Sequence, residues 1–332
     1  MTDRRFDVTA IGNAIVDVIA DAGDDFLDAQ GMHKGGMRLI DEAEATRLYA
    51  AMGPAREESG GSAANTVAGL ASLGQRAAFI GQLGTDQLGA IFSHDIRSLG
   101  VAFGTPAKDG IGATARCLIL VTPDAQRTMN TFLGAAQMLG PEAVDAALIA
   151  ESKILYLEGY LWDPEAPRLA MRKAIAAARS AGTRVAFTLS DSFVVDRHRA
   201  DLNALFDAGS IDILFANEDE ALALTGASDF DSAITAIAAR VPTAVVTRSV
   251  NGAVAVRSGE RASVPAEPIE RLVDTTGAGD LFAAGFLAGE ARGLGLEASL
   301  RLGAIAAAEV IQHYGARPES NLRVLAGALL EA

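Results

Sequence analysis

The chain has 332 residues, half of them apolar and 21% charged, which is typical of a globular protein with a large buried core. Its formal net charge of −14 argues against nucleic acid or an anionic membrane surface as a partner, because both repel an acidic protein. Cys117 is the single cysteine, so an intrachain disulfide is excluded. No apolar run reaches the length of a membrane span, and we expect a cytoplasmic protein.

Two short strands, 6–11 and 15–19, are the first predicted elements, and Gly12 and Asn13 form the turn between them. The second strand alternates apolar and polar residues, which places Asp17 on one of its faces. Because α/β folds bind ligands at the carboxyl ends of strands, Asn13 and Asp17 are candidate ligand contacts. It remains open whether Asn13 only makes the turn and Asp17 only solvates an edge strand.

A strand at 36–40 is followed by a helix that Asp41 caps, and a second motif lies in residues 59–74. In that motif Gly60 and Gly61 allow close backbone approach, and Asn65 lies in the first turns of a helix. An asparagine on a small, apolar helix needs hydrogen-bond partners, which a polyol ligand would supply. Simple helix packing is the alternative for this position.

A strand at 77–81 and a helix at 87–99 give the first strand–helix alternation. The pattern then changes, because 114–122 and 127–133 read as a β-hairpin around a Pro-Asp turn. Together with the strands near 15–20 and 36–40, this hairpin predicts a small sheet detached from the main one. Arg127 lies near the hairpin tip, where it is either a phosphate clamp or a solvated surface residue.

After Gly140 strands and helices alternate regularly, which predicts a doubly wound parallel sheet in a single α/β domain, 1–332. The predicted strands are 154–158, 184–190, 211–216 and 243–248. The predicted helices are 165–181, 199–208, 218–225, 230–240, 297–314 and 319–331.

Asn217 and Glu220 directly follow the predicted strand 211–216, at its carboxyl end. Carboxylates at this position can hold Mg²⁺, usually through water, while the ion bridges nucleotide phosphates. The alternative is an acidic helix N-terminus that interacts with the helix dipole alone.

The segment Asp274-Thr-Thr-Gly-Ala-Gly-Asp280 runs into an apolar helix and is the most informative part of the chain. Gly277, Ala278 and Gly279 have almost no side chain, so their backbone N–H groups can form an anion hole at the positive end of the helix. Asp280 places a carboxylate beside that hole, where we expect the helix dipole to keep it ionised. This arrangement suits proton abstraction during phosphoryl transfer. An ordinary capped turn is the alternative, and the dinucleotide-binding fingerprint lacks its third glycine.

Taken together, the 274–280 segment and the pair Gly60-Gly61 followed by Asn65 resemble the two signatures of the ribokinase-like (PfkB) family of sugar and nucleoside kinases. The resemblance implies a doubly wound, mainly parallel sheet flanked by helices. It also implies a small β-sheet lid formed by about 13–40 and 112–135. In the family, the final aspartate is the catalytic base and the Gly-Ala-Gly amides form the anion hole. Carried over, these roles fall to Asp280 and to residues 277–279, and the family's Asn-x-x-Glu magnesium motif matches Asn217 and Glu220.

The resemblance further implies ATP and Mg²⁺ as cofactors. The family contacts nucleotide phosphate in the segment that corresponds to Thr247–Gly252 here, although it more often has glycine at the position of Ser249. Ala304 would pack against the adenine ring of ATP or against the neighbouring helix. Asp274 with the region of Gly315 would form the monovalent-cation site, for K⁺, that some members have.

For the acceptor, the resemblance points to adenosine, because the family's adenosine kinases hold the nucleobase in an aromatic and aliphatic pocket. Similar positions here are Ile15, Met37, Met129, Tyr160, Trp162 and Phe193, any of which is alternatively a core residue. Asn13, Asp17, Gly60, Gly61 and Asn65 would bind the ribose and orient its 5′-hydroxyl toward Asp280. A sugar kinase acting on ribose, fructose or 2-keto-3-deoxygluconate is the alternative, and a non-catalytic nucleoside-binding protein is another. The protein is expected to be a monomer or a homodimer formed through its lid strands.

Overall fold

The computed structural model describes residues 4–124 and 126–330 of the chain, in which the strands form two sheets. The strands, β1 to β14 in chain order, are Phe6–Ile11, Ile15–Asp21, Met37–Leu39, Ala55–Gly60, Ala77–Ile80, Ala102–Phe103, Ala115–Val121, Arg127–Phe132, Ser152–Glu158, Arg184–Thr188, Ile213–Asn217, Thr243–Thr247, Ala253–Arg257 and Glu260–Val264. The helices, α1 to α12, are Asp24–Ala29, Glu42–Ala51, Ser62–Ser72, Gln87–Ser98, Ala146–Ala150, Glu165–Ala181, Ser192–Asp207, Glu218–Thr225, Phe230–Ala238, Ala278–Arg292, Leu296–Val310 and Leu322–Ala326.

The larger sheet is doubly wound around β1, as the sequence predicted. Its strand order is β14-β13-β12-β11-β10-β9-β1-β5-β6, so the chain builds outward from β1 to β6 and then in the other direction from β9. Neighbouring strands are parallel from β12 to β6, and β13 and β14 add an antiparallel edge. β1 sends Val8 and Ala10 into one apolar core and Ile11 into the other, because helices cover both faces of the sheet.

The smaller sheet has the strand order β3-β8-β7-β2-β4 and confirms the predicted detached sheet. Its strand β4 lies outside the predicted lid segments 13–40 and 112–135. β4 was not predicted from the sequence, because the charged residues Arg56, Glu57 and Glu58 interrupt any alternation of apolar and polar residues. Charged residues are common on edge strands such as this one. Residue 125, inside the predicted segment 112–135, lies outside the described residues.

Three predicted helices have clearly different bounds in the structure: 199–208, 297–314, which ends at Val310 as α11, and 319–331. α7 begins at Ser192 and not at residue 199, because the Asp191 side chain caps it by accepting a hydrogen bond from Phe193 N at 3.1 Å. The predicted helix 319–331 is shorter, since Asn321 caps α12 and a single 3₁₀ turn, Gly327–Leu330, follows it. Residue 331 is outside the described part of the chain. The predicted Asp41 cap of α2 is confirmed.

The chain crosses between the two sheets at the carboxyl end of β1. Residues 12–14 lead from β1 into β2, and Gly61 leads from β4 back into α3. α3 in turn packs closely on α10. A Cβ at Gly69 would lie only 2.7 Å from Ala284 Cβ, so the contact requires glycine at position 69. The N-termini of α3 and α10 also meet beside the crossing, where Ser62 and Asn65 bond to Asp280. Among the described residues, no helix combines the length and the apolar character that a membrane span needs.

Candidate active site

Asp280 lies in the first turn of α10 and is held from α3. One carboxylate oxygen accepts a hydrogen bond from Ser62 Oγ at 2.6 Å, and the other accepts from Asn65 Nδ2 at 2.9 Å. The hydroxyl of Thr66 also donates to the backbone carbonyl of Asp280, at 3.1 Å. The two sequence motifs that lie about 210 residues apart in the chain therefore meet at one carboxylate.

Burial raises the pKa of Asp280, and the hydrogen bonds from Ser62 and Asn65 and the charge of Arg317 oppose this rise. The sequence predicts that the helix dipole keeps this carboxylate ionised, whereas burial acts against ionisation. A carboxylate with a raised pKa is a stronger base than an ordinary aspartate, which suits proton abstraction near neutral pH.

The turn before α10 presents free backbone N–H groups. The amides of Gly277, Gly279 and Asp280 have no hydrogen-bond partner in the described residues, whereas Ala278 N donates to Thr275 O at 3.2 Å. Gly277 has a φ of +79°, and a Cβ there would lie 2.7 Å from Ala316 Cβ, so only glycine fits. Gly279 faces open space. The turn thus has the geometry of an anion site, with Ala278 largely engaged in the turn itself.

Gly60 and Gly61 are required by close contacts. A Cβ at Gly60 would lie 2.3 Å from Asp17 Oδ2, and one at Gly61 would lie 2.2 Å from the carbonyl oxygen of Asn13. Gly61 also has a φ of +98°, a conformation that other residues rarely adopt. The two glycines therefore allow α3 to pack against the crossing. On α3, Asn65 Oδ1 is buried without a hydrogen-bond partner in the described residues. Such an atom requires a ligand or water.

Asp17 lies on β2, and its carboxylate lies beside Gly60 and interacts with the charge of Asp280. Burial raises its pKa to about 7, assisted by the charges of Glu58 and Asp280 and opposed by those of Arg317 and Arg127. Asp17 is the cross-strand partner of Glu58 on β4 and of Cys117 on β7. The prediction that it contacts a ligand is consistent with this position.

Asn13 was predicted to contact a ligand, and in the structure its side-chain amide is bonded to Glu158. Its Nδ2 donates to Glu158 Oε1 at 2.5 Å, and its backbone N lies 3.3 Å from Glu158 Oε2, which also accepts from Ala63 N at 2.9 Å. Glu158, at the end of β9, is buried, and burial raises its pKa to about 7. One N–H of the Asn13 amide is therefore engaged with Glu158, and its second N–H and its carbonyl oxygen remain for a ligand.

Arg127 is a buried residue, which overturns the interpretation of a solvated surface position. Its guanidinium forms an ion pair with Asp274 and also donates to Thr276 Oγ1 at 3.1 Å. Two other nitrogens, Nε and Nη2, are buried without partners in the described residues. Arg127 thus joins the small sheet to the loop before α10.

This ion pair also bears on the predicted monovalent-cation site. Gly315 N donates to the Asp274 carboxylate at 3.3 Å, so Asp274 and the Gly315 region do lie together. The guanidinium of Arg127 already supplies a positive charge to that carboxylate. The residues therefore do not fit an additional cation at Asp274.

The predicted apolar pocket residues form two separate groups. Ile15 and Met129 pack with Cys117, Ile119 and Val121 on one face of the small sheet. Tyr160 and Phe193 form an aromatic pair at the carboxyl edge of the large sheet, with ring centroids 5.9 Å apart. Met37 is half exposed on β3, next to Met129.

Trp162 does not belong to the pocket. It is fully buried against Phe187, and its Nε1 donates to Asp201 at 2.8 Å. The alternative of a core residue is therefore the right one for Trp162, because the polar end of its ring is satisfied inside the protein.

Asn217 and Glu220 form a complete capping box at the start of α8. Asn217 Oδ1 accepts from Glu220 N at 2.8 Å, and the two oxygens of Glu220 accept from Asn217 N at 3.0 Å and from Asn217 Nδ2 at 2.9 Å. Burial and the charges of Asp191 and Asp219 raise the pKa of Glu220 to about 7. Both side chains are thus engaged in the helix cap. The described residues contain no group of three histidine, cysteine or acidic side chains able to hold a metal ion, so Mg²⁺ at this position would be held through water.

The other predicted nucleotide contacts lie near this edge. Thr247 ends β12. Gly252 has a φ of +80°, and a Cβ there would lie 2.0 Å from Val264 O. The contact with β14 is therefore sufficient to require glycine at position 252. Ser249 adopts a φ of +50°, a left-handed conformation that agrees with glycine in the family. Ala304 is buried in the main core, as the helix-packing alternative predicted.

Three residues of the site were not among the candidates, namely Ser62, Glu158 and Arg317. Ser62 could have been found, because it lies one helical turn before Asn65 on the same face. Glu158 could also have been found, as a charged residue that ends a buried strand. Nothing local in the sequence marks Arg317, whose contacts all come from distant segments.

Comparison with known proteins agrees with the fold and the motifs. A family model described as pfkB family carbohydrate kinase matches residues 44–322. The crystal structure of adenosine kinase from Sinorhizobium meliloti is 51% identical, with a TM-score of 0.89, covering 97% of this chain and 98% of that one. The crystal structure of a probable sugar kinase from Rhizobium etli CFN 42 is 49% identical, with a TM-score of 0.90 and the same coverage.

Adenosine kinase from Saccharomyces cerevisiae is 28% identical, over 93% of this chain and 95% of its own length. The family match spans most of the chain, and the similar proteins are matched almost end to end. These matches and the fold show that the chain belongs to the pfkB family of carbohydrate kinases, which transfer a phosphoryl group from ATP to an alcohol.

Proposed function

We propose that this protein phosphorylates the 5′-hydroxyl of adenosine with ATP, giving AMP and ADP. The observation that carries the proposal is the arrangement of side chains on the face of the small sheet that carries Asp17. Asp17 and its cross-strand partners Cys117 and Thr131 form one row across the sheet. The neighbouring row is apolar from β2 to β3, with Ile19, Ile119, Met129 and Met37 as successive cross-strand partners, and it ends on β4 at Arg56.

The two rows lie two residues apart along each strand, which is about 7 Å. A nucleoside has the matching pattern, since its polar ribose and its apolar base are separated by a similar distance. A free sugar carries hydroxyls on all sides and gains nothing from an apolar row. The aromatic pair of Tyr160 and Phe193 supports the proposal from the large sheet, because such rings stack on a base.

In the proposed reaction, the ribose O5′ attacks the γ-phosphorus and the bond to the bridging oxygen of ADP breaks. Asp280 takes the proton of the 5′-hydroxyl, while Ser62 and Asn65 hold its carboxylate in position. The free amides of Gly277 and Gly279 donate to the oxygens of the transferring phosphoryl group, with the amide of Ala278 weakened by its bond to Thr275. Asp17, Gly61 and the free Oδ1 of Asn65 face the ribose.

Asn217 and Glu220 would hold Mg²⁺ through water at the end of β11, and the ion would supply positive charge to the phosphates. Thr247 and the turn that ends at Gly252 would contact nucleotide phosphate. We further propose that segments 13–40 and 112–135, together with β4, act as a lid. Arg127 supports this role, because it extends from the small sheet to Asp274 beside the anion site.

The adenosine kinases among the similar proteins favour adenosine, whereas the similarity to a probable sugar kinase leaves sugars as competitors. Release of ADP should therefore be measured with Mg-ATP against adenosine, other nucleosides, ribose, fructose and 2-keto-3-deoxygluconate at equal concentration. We expect adenosine turnover far above that with any sugar. Turnover with a sugar alone would reject the nucleobase pocket. Tight binding of adenosine without any ADP release would instead indicate a non-catalytic binding protein.

Met129→Ala tests the apolar row directly. Because Met129 would contact the base and not the ribose, the variant should raise the KM for adenosine and leave the residual activity toward ribose unchanged. Leu169→Ala is the control, since Leu169 is an exposed apolar residue on α6. An equal effect on both acceptors would show that Met129 supports the lid and does not recognise the base.

A further inference from the structure

The segment Gly315–Ala316–Arg317 follows α11 and contacts three segments around Asp280, namely the loop at Asp274, the anion site and the start of α3. Gly315 N donates to the Asp274 carboxylate at 3.3 Å. Ala316 packs against the backbone of Gly277 in the anion site. Arg317 extends from the same segment to the start of α3, which carries the two partners of Asp280.

Arg317 binds the turn between β4 and α3 with three hydrogen bonds. Its Nε donates to Ser59 O at 2.8 Å, its Nη2 to Ser59 Oγ at 2.8 Å, and its Nη1 to Ala64 O at 2.7 Å. Ser59 is itself fixed, because its N–H donates to Asp95 Oδ2 at 2.8 Å. One guanidinium thus joins both ends of the turn that contains Gly60, Gly61 and Ser62.

The guanidinium also lies among acidic groups from four elements. Asp95 of α4, Asp17 of β2, Glu58 of β4 and Asp280 of α10 all act on it electrostatically. Burial lowers the pKa of Arg317, and these four carboxylates oppose the change. Because an arginine remains charged even when it is buried, Arg317 supplies a fixed positive charge near the carboxylate of Asp280.

We propose that Arg317 is a positioning residue that acts on phosphoryl transfer through Ser62 and Asn65. By joining Ser59 to Ala64, it fixes the first turn of α3, so that both side chains hold the carboxylate of Asp280 toward the acceptor hydroxyl. This inference rests on the proposed role of Asp280. Lysine cannot replace arginine here, because a single ammonium group cannot reach Ser59 and Ala64 with the same geometry.

Arg317→Ala and Arg317→Lys test the proposal, with Arg323→Ala as the matched control on an exposed arginine of α12. We expect kcat to fall by about tenfold to a hundredfold in the alanine variant, since small displacements of a reacting group cost this much. The KM for ATP should not change. Guanidinium chloride at a non-denaturing concentration should restore part of the activity of Arg317→Ala, whereas sodium chloride of equal ionic strength should not. Arg317→Lys should keep the charge and still lose most of the kcat.

A double-mutant cycle with Ser62→Ala separates positioning from general stability. If Arg317 acts through Ser62, the double variant should be little worse than the poorer single variant. Hydrogen exchange should also increase in residues 59–66 of Arg317→Ala and not in the rest of α3. Multiplicative losses in the cycle, or a kcat within about twofold of the wild type in Arg317→Ala, would overturn the inference.

The failure of the proposed function would look different. If the wild type phosphorylates a sugar and not adenosine, the same variants are assayed with that sugar, because Asp280 would serve any acceptor. Loss of kcat with the guanidinium rescue would then support the positioning role of Arg317 and reject only the nucleoside.

Discussion

Replacing Asp280 with asparagine should abolish most of the activity while leaving the site intact. Each carboxylate oxygen accepts one hydrogen bond, from Ser62 and from Asn65. An asparagine can accept from Asn65 with its Oδ1 and donate with its Nδ2 to Ser62 Oγ, whose hydroxyl is free to rotate. The two interactions therefore survive in neutral form, and the penalty of a buried charge disappears.

The magnitudes follow from this geometry. Weaker hydrogen bonds and relief of desolvation nearly cancel, so we expect the free energy of unfolding to change by about 1 kcal/mol or less. Loss of a general base lowers kcat by about 10² to 10⁴, which is about 3 to 5 kcal/mol in the activation free energy. The KM for adenosine should remain within about threefold, because the proposed ribose contacts are unchanged.

The assay is ADP release with saturating Mg-ATP and adenosine, together with urea unfolding of each variant. Asp231→Asn is the matched control, since Asp231 also lies in the first turn of a helix but is exposed. Its kcat should equal that of the wild type. A kcat for Asp280→Asn within tenfold of the wild type, with unchanged stability, would refute Asp280 as the base.

Three further predictions concern binding and stability. The pKa of Asp17 is raised to about 7, so its carboxylate becomes protonated as the pH falls from 8 to 6. The KM for adenosine should therefore rise about five- to tenfold over this range. In Asp17→Asn the KM for adenosine should not vary with pH. Gly61→Ala should lower the unfolding free energy by about 2 kcal/mol more than Gly112→Ala, because both residues have similar positive φ values but only the first meets backbone. Arg127→Met should cost about 3 to 5 kcal/mol in urea unfolding, because it leaves the buried Asp274 carboxylate unpaired.

Each of these has a clear contrary result. A KM with no pH dependence in the wild type would mean that Asp17 does not contact the ribose as a carboxylate. Equal costs for the two glycine variants would leave only the φ angle to explain Gly61. For Arg127, adding Asp274→Asn to the methionine variant should recover stability, and a failure to recover would show that the ion pair is not the cause of the loss.

The sequence by itself determined the fold class and the two motifs that form the site, one around Gly60, Gly61 and Asn65 and the other at 274–280. Regular alternation of strands and helices follows from hydrophobic periodicity, which is local, and it predicted the doubly wound sheet and the small sheet. Gly60, Gly61, Asn65 and the 274–280 segment could be recognised because glycine and small residues mark close backbone approach wherever they occur. The start of α7 and the strand β4 were missed, since a side-chain cap and an edge strand leave weak local patterns.

Only the tertiary structure decided which polar groups share a site. Asn13 is engaged by Glu158, Arg127 by Asp274, and Asp280 by Ser62 and Asn65, and these pairs join residues between 145 and 218 positions apart in the chain. Trp162 resembles a pocket residue in its local context, but its ring is buried and its N–H is satisfied by Asp201. The pKa of Asp280 likewise depends first on burial, which distant elements of the packed chain provide. Local patterns report what a segment can form, whereas burial, charge and hydrogen-bond partners are properties of the packed chain.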